Sequence, residues 1–348
     1  MKRIVILFIG LFMACQYCNS QYMVADSEQE AFIKRADLAY SEGDKEGAIK
    51  TLNKAIKKYP SFILAYERRA NIYLELGANT KAVEDFNSIT DLDPKNAKAF
   101  NNKGKIYFKA VKFSDAINNY NLAVKGDSTF AEPYYNLGLI YLRQERVLSA
   151  IDNFKKASVL DNSQVSYFIS LGVAYSKNYD DKNAIEAFSR AIELKPDHWE
   201  SYFNRGIAHF GEKQYKEAAS DYLKVTEMNP DFFLAYNYLG NAYDELKESE
   251  KALDVYSKVI SLKSGDPVAY FNRASLYFSM GKKDEAIADF TRSIELDPKS
   301  SDAYYYRGLT YQTFGDKESA LKDFEKVAEL EPNNADVKQQ ITSLKNEK

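Results

Sequence analysis

The sequence repeats itself every 34 residues from position 29 to position 334, without an insertion or a deletion. The last copy, 301–334, aligns with 267–300 and with seven further segments upstream, which makes nine repeats in one register. A fixed period of this length is typical of proteins in which each helical unit buries its apolar face against its neighbours. The period therefore predicts a repeat architecture before any single residue is considered.

Within each repeat, numbered 1 to 34, the residue types recur at helical spacing. Position 4 is aromatic, position 8 is Gly or Ala, position 11 is mostly Tyr, position 20 is Ala, and position 24 is aromatic except at Leu52. These spacings predict two antiparallel helices per repeat, joined near position 15, with small residues at position 8 that allow a neighbouring helix to approach closely. Position 15 is glycine in four repeats, as expected for a residue of positive φ after a helix; these glycines are Gly43, Gly77, Gly281 and Gly315.

This pattern resembles the tetratricopeptide repeat, in which an aromatic residue at 4, Tyr at 11, Ala at 20, an aromatic residue at 24 and Pro at 32 recur. Six of the nine repeats have the proline, the first being Pro60 and the last Pro332. The resemblance implies an all-α fold, a right-handed superhelical solenoid of nine helix-turn-helix repeats. Residues 335–348 place Val337, Ile341 and Leu344 at helical spacing, and we expect them to form a C-terminal capping helix.

The first residues look like an export signal. Lys2 and Arg3 precede an apolar run that is too short to span a bilayer as a helix. Two kinds of processing fit: cleavage after Ser20, with residues 1–20 as signal peptide and 21–28 as a short linker, or a lipoprotein signal over 1–14 with lipidation of Cys15. Either one predicts a bacterial protein that is exported, and is periplasmic, outer-membrane-associated or secreted.

The composition argues against several classes of function. The formal net charge of −3 lacks the basic excess of a nucleic-acid-binding protein. Cys15 and Cys18 are the only cysteines, so cleavage after Ser20 leaves no thiol for a disulfide or a metal. No phosphate-binding loop or nucleophile elbow is present, and the two histidines, His198 and His209, have no second ligand nearby in the sequence. We therefore predict a protein that is not an enzyme and needs no cofactor or metal.

Comparison of the repeats predicts four ion pairs. In repeats two, six, eight and nine, position 7 is Arg and position 23 of the same repeat is Asp, whereas the repeats with Leu at position 7 have Asn153, Ala187 or Val255 at position 23. We expect structural bridges within each repeat, each contributing about 1 kcal/mol or less if exposed. The pairs are Arg69 with Asp85, Arg205 with Asp221, Arg273 with Asp289, and Arg307 with Asp323.

The resemblance also implies that the first helices line a concave groove, with positions 2, 5, 9, 12 and 13 facing into it. Three sets of residues follow. An apolar strip consists of Tyr135, Leu139, Leu142, Ile169, Val173, Phe203, Ile207 and Phe210. A basic line includes Lys109, Arg143 and Lys177, and the first two repeats add the acidic residues Glu30, Asp37, Glu67 and Glu75. At position 6, the amides that would bind a peptide backbone are Asn102, Asn136, Asn204 and Asn272.

Each set has a structural explanation as well. The strip would be a partner site if exposed and ordinary packing between first helices if buried. The basic line would be either a binding surface or a solvated face. We predict a scaffold that binds a partner protein or an extended peptide in the groove, outside the cytoplasm, with membrane association only through a lipid anchor. The alternative is a receptor for a small ligand or a cell-wall fragment in the same groove.

Overall fold

The computed structural model describes residues 27–346, and all regular secondary structure in that range is α-helix. The predicted signal segment, Cys15 and Cys18 lie outside the described residues. The helices are α1 (27–41), α2 (Lys45–Lys58), α3 (Ile63–Glu75), α4 (Asn79–Leu92), α5 (Ala97–Lys109), α6 (Phe113–Gly126), α7 (Ala131–Arg143), α8 (Val147–Leu160), α9 (Val165–Lys177), α10 (Asp181–Leu194), α11 (Trp199–Gly211), α12 (Tyr215–Met228), α13 (Phe233–Glu245), α14 (Ser249–Leu262), α15 (Pro267–Ser279), α16 (Lys283–Leu296), α17 (Ser301–Thr313), α18 (Lys317–Leu330) and α19 (Ala335–Asn346).

The helices follow the 34-residue register. From α3 to α17, each odd-numbered helix covers positions 1–13 of its repeat, and each second helix covers positions 17–30. Helix α1 is longer and already includes residues 27 and 28, which we had placed in the linker. Short polar side chains cap several second helices; Asp44, for example, accepts a hydrogen bond from the backbone N–H of Gly47. The predicted all-α fold of helix-turn-helix repeats is confirmed.

The turn between the two helices has the same backbone conformation in all nine repeats. The four predicted glycines at position 15 have φ of 70° to 87°. The other five repeats adopt the same left-handed conformation with residues that carry a Cβ: Val111 (φ 61°), Glu145, Tyr179, Lys213 and Lys247. Because the turn geometry is set by the packing of the two helices, the non-glycine residues adopt it despite its steric cost.

Val111 is the least favourable of these residues, since a β-branched side chain fits poorly in the left-handed region. We expect Val111→Gly to raise the free energy of unfolding by about 1 kcal/mol, because the strain is removed while the 64% exposed side chain contributes little packing. Urea unfolding followed by circular dichroism measures the effect. Gly77→Ala, at the same position of repeat two, is the matched control and is expected to lower the stability. Equal midpoints for Val111→Gly and the unmodified chain would contradict the strain.

The small residue at position 8 makes room for the ring at position 24 of the same repeat. A Cβ built on Gly138 would lie 2.5 Å from Cε1 of Phe154, and one built on Gly172 would lie 2.7 Å from Cε1 of Phe188. Both rings are almost completely buried. The close approach that we predicted is therefore between a helix backbone and an aromatic side chain of its own hairpin.

The chain divides into two compact units, one ending at Asn162 and the other beginning at Ser163. Within each unit, every helix packs against the next one along the chain, so that hairpins follow each other without a break. In the second unit, α19 packs on α18: Val337 and Leu344 are buried, and Ile341 lies against the same cluster, which contains Phe324 and Val327. Helix α19 thus occupies the place of the predicted capping helix.

Candidate functional site

In both units, first helices of consecutive repeats lie side by side. Helix α5 contacts α7 in the first unit, and in the second unit α9 contacts α11 and α15 contacts α17. A face made of first helices is therefore present in each unit. This face carries the residues predicted to bind a partner.

In the first unit, the predicted apolar strip is half-buried. Tyr135, Leu139 and Leu142 all have intermediate exposure. The ring of Tyr135 packs against the buried ring of Phe154, with centroids 5.7 Å apart. Packing within repeat four therefore buries part of these three side chains. This part of the apolar strip is not a fully exposed patch.

In the second unit, most strip residues also contribute to packing. Val173 lies against the buried cluster around Phe188, and the ring centroids of Phe210 and Tyr215 are 5.1 Å apart. Ile169 is partly buried. Ile207 differs, because 36% of its surface is exposed.

One helical turn from Ile207 on α11 lies a ring contact between repeats six and seven. Phe203, one helical turn before Ile207 on α11, makes an edge-to-face contact with Tyr238 on α13 at 5.3 Å between centroids. Tyr238 is 36% exposed and Leu234, one turn earlier on α13, is 40% exposed. We call Phe203, Ile207, Leu234 and Tyr238 the apolar patch. Leu234 was missed by the sequence analysis, although it occupies position 2, which the resemblance assigns to the groove.

The four position-6 asparagines divide into two groups. Asn136 donates a hydrogen bond from Nδ2 to Oδ1 of Asn101 (3.3 Å), and Asn101 in turn donates to Glu132. Asn136 therefore already has a partner within its own array. Among the described residues, no hydrogen bond involves the other three side-chain amides, which are partly buried and free to bind a ligand: Asn102, Asn204 and Asn272.

The residues of the basic line are exposed. Lys109, Arg143 and Lys177 all have their side chains largely in solvent. The guanidinium of Arg143 lies 5.8 Å from the ring centroids of both Phe108 and Phe113, so its position is supported by cation–π contacts. Lys109 and Arg143 lie in the first unit and Lys177 in the second.

All four predicted ion pairs are present, and each is formed within one repeat. The Nε–Oδ2 distances are 2.9 Å in Arg69–Asp85, 2.8 Å in Arg205–Asp221, 2.6 Å in Arg273–Asp289 and 2.8 Å in Arg307–Asp323. In every pair Nη2 contacts the second carboxylate oxygen, so the contact is bidentate.

Each of these arginines also reaches the preceding repeat, which the sequence analysis missed. Nη1 donates to the side-chain oxygen at position 25 of that repeat, as in Arg273 to Ser257 and Arg307 to Thr291, both at 3.0 Å. The signal was present in the sequence, because position 25 before an arginine-containing repeat is always Asn, Ser or Thr. Each arginine therefore links two second helices of neighbouring hairpins.

Burial makes these pairs stronger structural elements than exposed bridges. The aspartate side chains are only 4% to 11% exposed. The hydrogen bonds that Arg205 donates to Asp221 and that Arg273 donates to Asp289 raise the pKa of both arginines. The pairs are therefore structural, and their carboxylates are not available to a ligand.

The histidines have local partners. His198 Nδ1 lies 2.9 Å from Ser201 Oγ, and His209 Nδ1 lies 2.6 Å from Gln214 Oε1. Within residues 27–346, no three His, Cys, Asp or Glu side chains are arranged to hold a metal ion. None of the helices in that range is both long enough and apolar enough to cross a membrane.

Comparison with protein families identifies the repeats. Models described as tetratricopeptide repeat match residues 33–97, 131–163, 178–226, 221–254, 267–300 and 301–334, and a model described as TPR repeat matches 112–145. Together these matches cover more than half of the chain. A search of curated protein sequences gave no match.

Several solved structures are similar to this chain, and the one with a TM-score of 0.50 shows the same fold. A tetratricopeptide repeat protein from Parabacteroides merdae is 20% identical, with a TM-score of 0.50 over 72% of this chain and 100% of its own. The pilF protein of Pseudomonas aeruginosa is 19% identical, with a TM-score of 0.49 over 62% of this chain and 98% of its own. YrrB, described as a TPR protein with an unusual peptide-binding site, is 23% identical, with a TM-score of 0.46 over 54% of this chain and 97% of its own.

Proposed function

Because the chain belongs to the tetratricopeptide repeat family, whose members are protein-interaction scaffolds, we propose that it binds a partner protein or an extended peptide on the face made by its first helices. The observation that carries this proposal is the apolar patch. Ile207, Leu234 and Tyr238 are each 36% to 40% exposed on two neighbouring first helices. Adjacent exposed apolar side chains of this kind are typical of protein-binding surfaces.

The surroundings of the patch suit a polypeptide. The ring of Tyr238 packs edge-to-face on the ring of Phe203, and an aromatic side chain that is already packed loses little conformational entropy when a partner binds. Asn204, the residue after Phe203, has a side-chain amide without a hydrogen bond in the described chain. That amide can both donate to a carbonyl and accept from an N–H group, which are the groups that an extended peptide presents.

We further propose that this scaffold is not an enzyme and acts outside the cytoplasm of a bacterium. The supporting features are the basic and apolar start of the sequence and its two candidate processing sites, Ser20 and Cys15. Mass spectrometry of the protein from its native membranes distinguishes a chain that begins at Gln21 from one that begins with a lipidated Cys15. A chain that retains residues 1–20 unprocessed would contradict export.

The binding proposal is tested with peptides selected against the full-length protein from a random peptide library. We expect Ile207→Asp to weaken the selected peptides at least about tenfold, because the substitution places a charge in the centre of the apolar contact. Leu223→Asp is the matched control: Leu223 is 43% exposed, but it lies on the second helix α12. Affinities are measured by isothermal titration calorimetry.

The outcome separates the two candidate functions. Peptides that lose affinity in Ile207→Asp and keep it in Leu223→Asp support a protein-binding face. Peptides that bind both variants equally would contradict the proposed site. Failure to select any peptide, together with saturable binding of purified cell-wall fragments, would favour the receptor for a small ligand.

A further inference from the structure

A cavity of about 280 Å³ lies in the second unit, between α17, the end of α18 and the start of α19. Its floor includes the buried side chain of Val327. Its walls include Tyr305 and Tyr306 of α17 and two exposed aspartates, Asp302 and Asp336; Tyr306 is 37% exposed and Tyr305 is partly exposed. Sites that enclose whole small ligands begin at about 300 Å³, so a cavity of this size suits one long side chain.

The aromatic wall repeats an arrangement that is found in the apolar patch. Phe271 and Tyr306, at positions 5 and 6 of repeats eight and nine, make an edge-to-face contact with centroids 5.5 Å apart. Phe203 and Tyr238 make the same contact at 5.3 Å two repeats earlier. The two tyrosines are exposed to nearly the same extent, 37% and 36%. The cavity therefore has an aromatic side chain equivalent to that of the patch, on the same kind of helix.

The rings of Tyr305 and Tyr306 have no cationic side chain over them. Their centroids are 5.7 Å apart and their planes are nearly perpendicular, at 87°. Within residues 27–346, no Lys or Arg lies over either ring, whereas the guanidinium of Arg307 lies 5.7 Å from the ring centroid of the neighbouring Tyr304. Because the face of a tyrosine ring attracts a cation, the two rings can still bind one from a partner.

The two aspartates also lack a cationic partner, unlike other acidic residues at the same position. Asp302 is at position 2 of repeat nine, and Asp336 occupies the equivalent position of α19. In repeats one and four, position 2 is Glu30 and Glu132, each paired with a lysine, at 2.7 Å and 2.9 Å. No ion pair or hydrogen bond of the described chain involves the carboxylate of Asp302 or Asp336. Two unpaired negative charges therefore border the cavity.

A third carboxylate adds to the negative charge around the cavity. Glu331 accepts hydrogen bonds from Ser301 Oγ and from Asn334 Nδ2, the second at 2.9 Å. These hydrogen bonds lower the pKa of Glu331, so the group stays ionised at neutral pH. Because both oxygens of Glu331 already have donors, direct contact with a cation falls to the two aspartates.

We propose that this cavity binds an arginine side chain of a polypeptide partner, with the guanidinium against the rings of Tyr305 and Tyr306 and hydrogen-bonded to Asp302 and Asp336. Arginine suits this combination better than lysine, because its planar guanidinium both stacks on aromatic rings and donates to carboxylates in pairs. The inference rests on the proposed function, since it takes the arginine to come from a polypeptide. It adds a requirement for a basic residue in the part of the partner that reaches the last repeat.

The test uses the full-length protein and two synthetic peptides, acetyl-Gly-Gly-Arg-Gly-Gly-amide and the same peptide with citrulline in place of Arg. Citrulline has nearly the same shape as arginine but no charge, so the comparison isolates the guanidinium. Binding is followed by NMR on labelled Val methyl groups, which include those of Val327 below the cavity. We expect the Arg peptide to bind at least tenfold more tightly than the citrulline peptide.

Two double variants locate the binding. Asp302→Asn with Asp336→Asn is expected to remove the preference for Arg, because no carboxylate is left to pair with the guanidinium. Asp254→Asn with Asp284→Asn is the matched control, since it removes the same charge from exposed positions of the second helices α14 and α16. Asp284 also lies in the first turn of its helix, as Asp302 does, so the control reproduces the loss of an acidic residue there. We expect the control to keep the preference.

The contribution of the aromatic wall is measured separately. Tyr306→Leu is expected to weaken the Arg peptide at least threefold, because the ring that faces the guanidinium is lost. Tyr306→Phe keeps the ring and is expected to bind the Arg peptide as the unmodified chain does. Thermal melts followed by circular dichroism show that each variant is folded.

Equal affinity for the Arg and citrulline peptides would overturn the proposal. So would a preference for Arg that survives in the folded Asp302→Asn, Asp336→Asn variant, or one that is lost to the same extent in the control. Neither result affects binding of library-selected peptides that is sensitive to Ile207→Asp. Conversely, a preference for Arg that only the Asp302→Asn, Asp336→Asn variant removes would support the cavity even if Ile207→Asp has no effect. The two proposals can therefore fail independently.

Discussion

Replacing Asp289 with alanine is expected to lower the free energy of unfolding by about 3 kcal/mol, because the half-buried Arg273 guanidinium loses its bidentate partner. The side chains of Arg273 and Asp289 are 20% and 11% exposed, so solvent replaces the lost contact poorly. Arg273 also links the hairpin to Ser257 of repeat seven, and we expect this contact to loosen as well. Such an effect is larger than the contribution of an exposed bridge.

The chain itself provides the control. Repeat seven has Leu239 and Val255 at positions 7 and 23 in place of an ion pair, and Leu239 is buried there. We therefore expect the double variant Arg273→Leu with Asp289→Val to stay within about 1 kcal/mol of the unmodified protein, because no charge is left unpaired. Urea unfolding and native-state hydrogen exchange of α15 and α16 measure both variants.

Two results would contradict this interpretation. If Asp289→Ala costs no more than the double variant, the pair contributes as little as an exposed bridge. If the double variant is as unstable as Asp289→Ala, loss of the arginine is itself destabilising. The hydrogen bond from Arg273 to Ser257 would then contribute more to stability than the ion pair with Asp289.

Val337→Asp is expected to detach α19 from the last repeat, with a local loss on the order of 3 kcal/mol. Val337 is completely buried, so the substitution removes its apolar contact and places a carboxylate with no cationic partner against Phe324 and Val327. Because neighbouring repeats stabilise each other in a linear array, we expect α18 to lose protection along with α19. Hydrogen exchange measured by mass spectrometry resolves the two helices.

Gln339→Asp is the matched control for the added charge. Gln339 is an exposed residue of the same helix, and the aspartate there remains in water. We expect the exchange of α18 and α19 to be unchanged in this variant. Equal protection of α18 in Val337→Asp and Gln339→Asp would show that α19 does not cap the last repeat.

The helices could be predicted because their signal recurs nine times in the same register. Ala48 and its equivalents at position 20, and the aromatic residues at positions 4 and 24, define the same two helices in each copy. The ion pairs were predictable for a related reason: Arg at position 7 and Asp at position 23 occur together in four repeats, and the repeats without an arginine at position 7 also lack the aspartate. Comparison among copies thus identified a contact between two helices.

The turns between the helices and the contacts between repeats could be predicted only in part from the sequence. Glycine marked four of the nine turns, but Val111 and four further residues adopt the same positive φ, because helix packing overrides the preference of a single residue. The contacts from Arg273 to Ser257 and from Arg307 to Thr291 cross a repeat boundary. They were missed because the sequence comparison tested only position 23 as the partner of the arginine, and these contacts are made to position 25 of the preceding repeat.

The sequence by itself therefore determined the repeat register, the two helices of each repeat, the capping segment and the four ion pairs, since each depends on residue types at fixed spacing. Only the tertiary structure decided which apolar side chains remain exposed and where space is left between helices. Phe203 and Ile207 look alike as predicted groove residues, yet the first packs against Tyr238 and the second is open to solvent. Leu52 is visible in the sequence as an exception at position 24, but only the structure shows that its neighbours bury it completely. Exposure and empty volume are set by the neighbours of a residue in space, which the pattern along the chain does not specify.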